Sequence, residues 1–207
     1  MAIDLVVFDC DGVLFDSQAA NAAFYSDIAL AMGRGPLNEE EKRLVHVATV
    51  YESLDHILRA MPERIPDAHE YRLKRGYEPF VELMIPEPGV YECLSRLKAS
   101  GRRLAVLTNR ATTTGLVFAH HRMTDFFERI VTAVDVSKPK PDPEGALKIL
   151  AATGTPAQRA VYVGDAPSDL QTALAAGMHF IAYKSPALPC PRHVDHFDRL
   201  DEMIERL

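Results

Sequence analysis

Residues 6–17 read VVFDCDGVLFDS. An apolar run ends in Asp9, one residue intervenes, and Asp11 and Gly12 follow. Side chains alternate along an extended chain, so both carboxylates point the same way at the end of what reads as a buried strand. Unpaired buried charge is costly, so water or something positive must meet them. Gly12 permits the backbone to turn away sharply at this point. Cys10, between the acids, points the opposite way and reads as a packed core residue.

Four more short runs share the β-branched, non-alternating character of residues 3–8: RLAVLT (103–108), RIVTAV (129–134), AVYVG (160–164) and HFIAY (179–183). Strands covered on both faces read this way. Helical stretches separate the later ones. Residues 89–100 place Val90, Leu94 and Leu97 on one face and stop at Gly101, while 142–154 and 168–177 also close on glycine. Alternating strand and helix predicts an α/β fold, a doubly wound parallel five-stranded Rossmann-like sheet.

One interval breaks the rhythm. Between the first run and the second the chain shows helical patterns at 17–33, 38–61 and 67–84 and no convincing strand. Asn38 followed by acids is a helix start, and Leu44, Ala48, Tyr51, Leu54 and Leu58 keep helical spacing. Asp16 and Ser17 stand where caps of the first of these helices belong. IPEPG (85–89) reads as a hinge back. The expected organisation is an α/β core of residues 1–16 and 87–207 with an inserted all-helical cap domain, 17–86.

The chain has 207 residues and a formal net charge of -6, which argues against a nucleic-acid surface. No apolar run approaches the roughly 18 residues of a membrane span, and no basic segment precedes an apolar one at the start. Cys10, Cys93 and Cys190 are far apart and odd in number, neither a disulfide framework nor a zinc spacing. A cytoplasmic location is the default expectation.

In open parallel sheets ligands sit beyond the carboxyl ends of the strands, so the residues after each strand carry the chemistry. After the first come Asp9 and Asp11, after the second Thr108, Asn109 and Arg110, after the third Lys138 in SKPKPD, and after the fourth Asp165 and Asp169 in GDAPSD. Four clustered carboxylates repel unless a cation joins them, and an oxygen-only donor set suits Mg²⁺.

With DCDGV, LTN, SKPKPD and GDAPSD in this order, the chain resembles the haloacid dehalogenase-like hydrolases. It is most similar to the phosphoglycolate phosphatase and β-phosphoglucomutase branch with a helical cap. The resemblance implies that Asp9 is the nucleophile, forming an aspartyl-phosphate. Asp11 becomes the general acid and base, its carbonyl also reaching Mg²⁺. Thr108 and Asn109 would hold phosphoryl oxygens. Lys138 would pair with Asp9, with Lys140 as the competing lysine. The metal set is Asp9, Asp11, Asp165 and Asp169, the last through water or by orienting its neighbours.

The implied substrate is a small phosphorylated metabolite. A cap that closes over it excludes water and contributes specificity. His46 in RLVHVAT and Arg75 in RLKRGYEP are the candidate cap contacts, Arg75 suiting a carboxylate or phosphate, with Arg110 the next candidate. A mutase is the alternative, but Asn21 stands where the mutase pattern has a His. A phospho-accepting receiver domain also clusters acids with Thr and Lys, but it is shorter and has no cap.

Overall fold

The computed structural model describes residues 2–207. The chain forms two compact units, one of residues up to Phe15 with Pro86–Leu207 and one of Asp16–Ile85. The strands are β1 (Leu5–Phe8), β2 (Phe15–Asp16), β3 (Ile85–Pro86), β4 (Arg103–Leu107), β5 (Arg129–Val131), β6 (Ala160–Gly164), β7 (His179–Tyr183) and β8 (His193–Val194). The helices are α1 (Gln18–Ala31), α2 (Glu39–Val47), α3 (Val50–Ile57), α4 (Ile65–Arg75), α5 (Val90–Ala99), α6 (Thr114–His120), α7 (Glu144–Thr153), α8 (Pro167–Ala175) and α9 (Leu200–Glu205).

The larger unit is built on a sheet of order β5-β4-β1-β6-β7-β8. Every pairing is parallel, with Leu5 opposite Arg103 on one side and Ala160 on the other. All residues of β1 and β6 are buried. One face packs Val7, Leu107 and Tyr162 against Ile149 and Leu150 of α7 and Leu170 of α8, which is why these strands read as unbroken apolar runs. The chain runs outward from β1 to β5, then returns to continue from β6 to β8. The order therefore reverses beside β1, the place beyond the strand ends where open parallel sheets bind their ligands.

The doubly wound α/β class is as expected, with three departures. The sheet carries a sixth strand, β8, whose two residues are too short to show periodicity. The third strand ends at Val131 rather than 134, because Asp135 accepts hydrogen bonds from the Thr132 N–H at 2.8 Å and from its hydroxyl at 2.7 Å, closing a turn. The helix α6 between β4 and β5 was also not anticipated.

The smaller unit is helical. Its α1 packs against α2, α4 and the 3₁₀ turn Glu78–Leu83, and Phe24 of α1 meets the rings of Tyr25, Tyr77 and Phe80 edge-on. Asn38 caps α2 through a reciprocal box with Glu41. Asp16 Oδ1 accepts from the Gln18 N–H at the start of α1, while the Ser17 side chain makes no capping bond.

The single helix expected over 38–61 is two. Ala48 is extended, and Thr49 starts α3 with its own box to Glu52, a T-x-x-E signal that interrupts the apolar period. The stretch 67–84 likewise breaks after Arg75, where Gly76 leaves the helix before the 3₁₀ turn. Among the described residues no helix is long and apolar enough to cross a membrane.

Candidate functional site

The carboxyl ends of β1, β4 and β6 place Asp9, Thr108 and Asp165 beside one another's strands. The Asp9 N–H donates to the Val163 carbonyl at 3.0 Å, extending the β1–β6 ladder by one rung. Its Oδ1 accepts from the Cys10 N–H at 2.7 Å. Cys10 itself is fully buried, and burial with nearby Asp11 raises its thiol well above the usual range, as fits a packed residue. Gly12 sits at φ +75°, and a Cβ there would overlap the Asp165 carboxylate. Glycine at this turn thus lets two motif loops approach.

Three acids converge. Asp9, Asp165 and Asp169 each bring one carboxylate oxygen within 4.8 Å of the others. Burial, and then the neighbouring carboxylates, push Asp9 up to about 7 and Asp165 up to about 8, with Lys140 pulling both back. Such a set is incomplete as a group of anions, and its all-oxygen donors fit Mg²⁺.

Asp169 has both oxygens engaged by protein. Oδ2 accepts from the Asp165 and Ala166 N–H groups at 3.1 Å each. Oδ1 lies 2.6 Å from Lys140 Nζ and 3.0 Å from the Tyr162 hydroxyl. It is placed to orient the Asp165 loop and the lysine, while Asp9 and Asp165 have the freer oxygens.

The lysine at this site is Lys140, which corrects the expectation of Lys138. Lys140 Nζ lies 2.9 Å from Asp9 Oδ1 and 3.1 Å from the Tyr162 hydroxyl. Burial alone would lower its pKa, but Asp169 and Asp9 more than offset this and hold it charged. Lys138 is 75% exposed, with its Nζ 4.0 Å from Asp142. Loop anchoring decides between them. Glu144, in the first turn of α7, accepts from the Ser137 and Lys138 N–H groups at 3.0 Å and turns that part outward.

Asn109 then fixes the next inward residue: its Oδ1 accepts from the Lys140 N–H at 3.0 Å and its Nδ2 donates to the Lys140 carbonyl at 3.2 Å. The Asn109 amide, expected to hold phosphoryl oxygens, is thus committed to the lysine's backbone. Thr108 is buried at the end of β4, its hydroxyl accepting from the Arg110 N–H at 3.1 Å.

Asp11 and Arg110 form a two-pronged ion pair, Nε to Oδ2 at 2.8 Å and Nη2 to Oδ1 at 2.9 Å. The Asp11 side chain therefore faces a guanidinium and stands outside the cluster of Asp9, Asp165 and Asp169. In the helical unit, His46 Nδ1 is 3.5 Å from Ser17 Oγ. Arg75 Nε is 3.1 Å from Asp27 Oδ2, and the guanidinium lies over Phe80. Tyr162 was overlooked in the sequence because its ring reads as one more apolar residue of β6. A buried tyrosine needs a partner for its hydroxyl, and that requirement was the available signal.

The chain belongs to the haloacid dehalogenase-like hydrolase family, whose sequence profile matches residues 6–183. It is an enzyme of that class, of the branch that the four motifs indicated. A phosphoglycolate phosphatase of Rhodobacter capsulatus is 31% identical over 97% of this chain and 96% of its own. Hexitol phosphatase A of Escherichia coli is 32% identical over 87% of this chain and 83% of its own. A crystal structure of a HAD-superfamily hydrolase, subfamily IA, from Geobacter sulfurreducens superposes with a TM-score of 0.81 at 38% identity, covering 98% of this chain and 96% of the other.

Proposed function

We propose that the protein is a Mg²⁺-dependent phosphatase of a small phosphomonoester, working through an aspartyl-phosphate. The observation that carries this reading is the buried contact of Asp9 with Lys140 at 2.9 Å, beside Asp165 and Asp169. An Asp Oδ1 held by a fixed cation and a backbone N–H is an oriented oxygen nucleophile. The similarity to a phosphoglycolate phosphatase and a hexitol phosphatase supports the same substrate class.

In the proposed reaction an Asp9 oxygen bonds to phosphorus as the bond from phosphorus to the leaving alcohol breaks. Asp11 gives the alcohol oxygen its proton. Asp11 then takes a proton from water as that water attacks phosphorus, releasing inorganic phosphate and restoring Asp9. Lys140 offsets the repulsion between an anionic nucleophile and an anionic phosphoryl group. Thr108 stands at the strand end where its hydroxyl can meet a phosphoryl oxygen. Magnesium, held by Asp9, Asp165 and the Asp11 carbonyl with Asp169 behind them, would draw charge from the phosphoryl oxygens.

The mutase reading loses support at Asn21. Its Nδ2 donates to Ser17 Oγ at 3.3 Å and its Oδ1 accepts from the Tyr77 hydroxyl at 3.1 Å, so the amide serves packing within the helical unit. Substrate contacts by His46 and Arg75 stay part of the proposal, although Arg75 already has an anionic partner in Asp27.

The test is phosphate release from 2-phosphoglycolate, a hexitol phosphate and p-nitrophenyl phosphate, with and without Mg²⁺. Rapid quench with radiolabelled substrate should leave label on the protein, and Asp9→Asn should abolish both label and turnover while folding normally. Asp11→Asn should slow turnover roughly 10²–10⁴-fold. Normal turnover by Asp9→Asn removes the reading.

A further inference from the structure

We propose that Tyr162 is a positioning residue of this site: its hydroxyl takes the third N–H of Lys140 and so keeps the other two on Asp9 and Asp169. The inference rests on the phosphatase reading and deepens the account of the same site.

An ammonium has three N–H donors and no acceptor. Around Lys140 Nζ stand three acceptors, Asp169 Oδ1 at 2.6 Å, Asp9 Oδ1 at 2.9 Å and the Tyr162 hydroxyl at 3.1 Å. Donors and acceptors match one to one. The Lys140 side chain is 4% exposed, so an N–H without an acceptor here is strongly unfavourable. With all three engaged, the ammonium acts on a phosphoryl group through its charge, from a place its acceptors set.

Those acceptors are themselves held. Asp9 Oδ1 accepts from the Cys10 N–H, and Asp169 Oδ2 accepts from the Asp165 and Ala166 N–H groups. Tyr162 is fully buried in β6, opposite Val7 of β1, with its ring edge-on to Phe180. A hydroxyl has one proton to give. Two acceptors lie within its reach, the Leu107 carbonyl at 2.9 Å and Asp169 Oδ1 at 3.0 Å. With either of them, its oxygen still accepts from the ammonium. Being neutral, it leaves the lysine's charge to the two carboxylates. Without it, the freed N–H turns to Asp169 Oδ1, the nearer carboxylate and one that has lost a neighbour of its own. The ammonium is then drawn away from Asp9.

Tyr162→Phe isolates the hydroxyl, because the ring keeps its contacts with Phe180 and with the ammonium, which lies 5.8 Å from its centroid. With Mg²⁺ present, kcat should fall about 10–100-fold on 2-phosphoglycolate and on p-nitrophenyl phosphate alike, while KM moves by about 2-fold or less. Ile149→Val, on the same face of the core, lowers stability without touching the lysine and should keep the wild-type kcat. In a Lys140→Ala background, Tyr162→Phe should bring no further loss, because the hydroxyl acts through the lysine. A crystal structure of Tyr162→Phe should show Nζ farther from Asp9 Oδ1 than 2.9 Å, a readout independent of turnover.

A wild-type kcat in Tyr162→Phe overturns the proposal. So does an equal loss in Ile149→Val, or a loss of the same size in the Lys140→Ala background. An Nζ that keeps its contact with Asp9 overturns it as well and assigns the rate loss to packing. A wild type that releases phosphate from neither substrate overturns the phosphatase reading instead, and the position of Nζ in Tyr162→Phe then decides separately whether the hydroxyl sets the lysine.

Discussion

Asn109 grips the backbone of Lys140 at both its N–H and its carbonyl, 3.0 and 3.2 Å away. Residues 31 positions apart are joined by one amide, and that amide selects which lysine of SKPKPD reaches Asp9. The consequence is measurable. Asn109→Ala should lower kcat by about 10–100-fold with a smaller change in KM, because Lys140 loses its anchor. Asn109→Asp keeps the acceptor for the N–H and should fall between. An unchanged kcat in both variants would show that Lys140 needs no such clamp.

The two lysines should separate cleanly. Lys140→Ala removes the cation beside Asp9 and Asp169 and should cost at least about 10²–10³-fold in turnover. Its stability loss should be about 3–5 kcal/mol, since buried carboxylates lose their partner. Lys138→Ala touches an exposed side chain and should stay within about 0.5 kcal/mol. Parallel kinetics and thermal melts decide this, and the reverse ranking would return Lys138 to the site.

Stability without metal should depend on pH in a direction fixed by the acids. Asp9 and Asp165 are raised from 3.8 to about 7 and about 8, first by burial and then by neighbouring carboxylates, Asp169 and Asp11 for Asp9, and Asp9 and Asp169 for Asp165. The folded protein therefore keeps protons that the unfolded chain has already lost. In chelator, the stability present below about pH 3.8 should fall as pH rises through 7 and 8. Saturating Mg²⁺ should raise the melting temperature by about 5–10 °C, most at the alkaline end. A Mg²⁺ effect that is equal at pH 5 and pH 9 would contradict the assignment of these acids to the cation.

The helical unit has its own buried acid. Glu41 is raised by burial but lowered further by hydrogen bonds from Arg34, the Asn38 N–H and Arg59, leaving it at about 2 against an ordinary 4.5. Its folded pKa is depressed, so its contribution is present above about pH 4.5 and is lost as pH falls through about 2. Both arginines are partly solvated, which screens the pairs. Glu41→Gln should therefore cost only about 1–3 kcal/mol at neutral pH and nearly nothing in strong acid. A loss that does not shrink on acidification would point to packing instead of charge.

Removing the arginine that pairs with Asp11 should be visible in structure. Arg110→Ala frees Asp11 from a contact at 2.8 Å, and crystallography of that variant should find the carboxylate rotated or disordered with the Gly12 turn intact. An Asp11 that keeps its position would assign its orientation to the loop alone.

Some of this protein was written locally and could be read. The strands β1, β4, β6 and β7 were legible because residues covered on both faces must be apolar throughout. The acids after β1 and β6 were legible because a carboxylate ending such a run is otherwise costly. The helix of the insert that follows Asn38 was legible from that residue and the acids after it, a helix-start signal. Its break at Thr49 was written too, in T-x-x-E, but apolar spacing ran across it and obscured the signal.

Other features belong to the tertiary structure alone. Arg110 and Asp11 are 99 positions apart, and they meet only because β4 lies beside β1 in the sheet. Lys138 and Lys140 share one loop, where prolines replace any helix or strand period that could say which side chain points inward. Glu144 turns one out and Asn109 turns the other in, through contacts made after the sheet has assembled. Sequence determined the chemistry available at each strand end, since burial constrains residue type position by position. Tertiary structure decided which partner each group received, because that depends on strand order and loop anchoring, which no local pattern encodes.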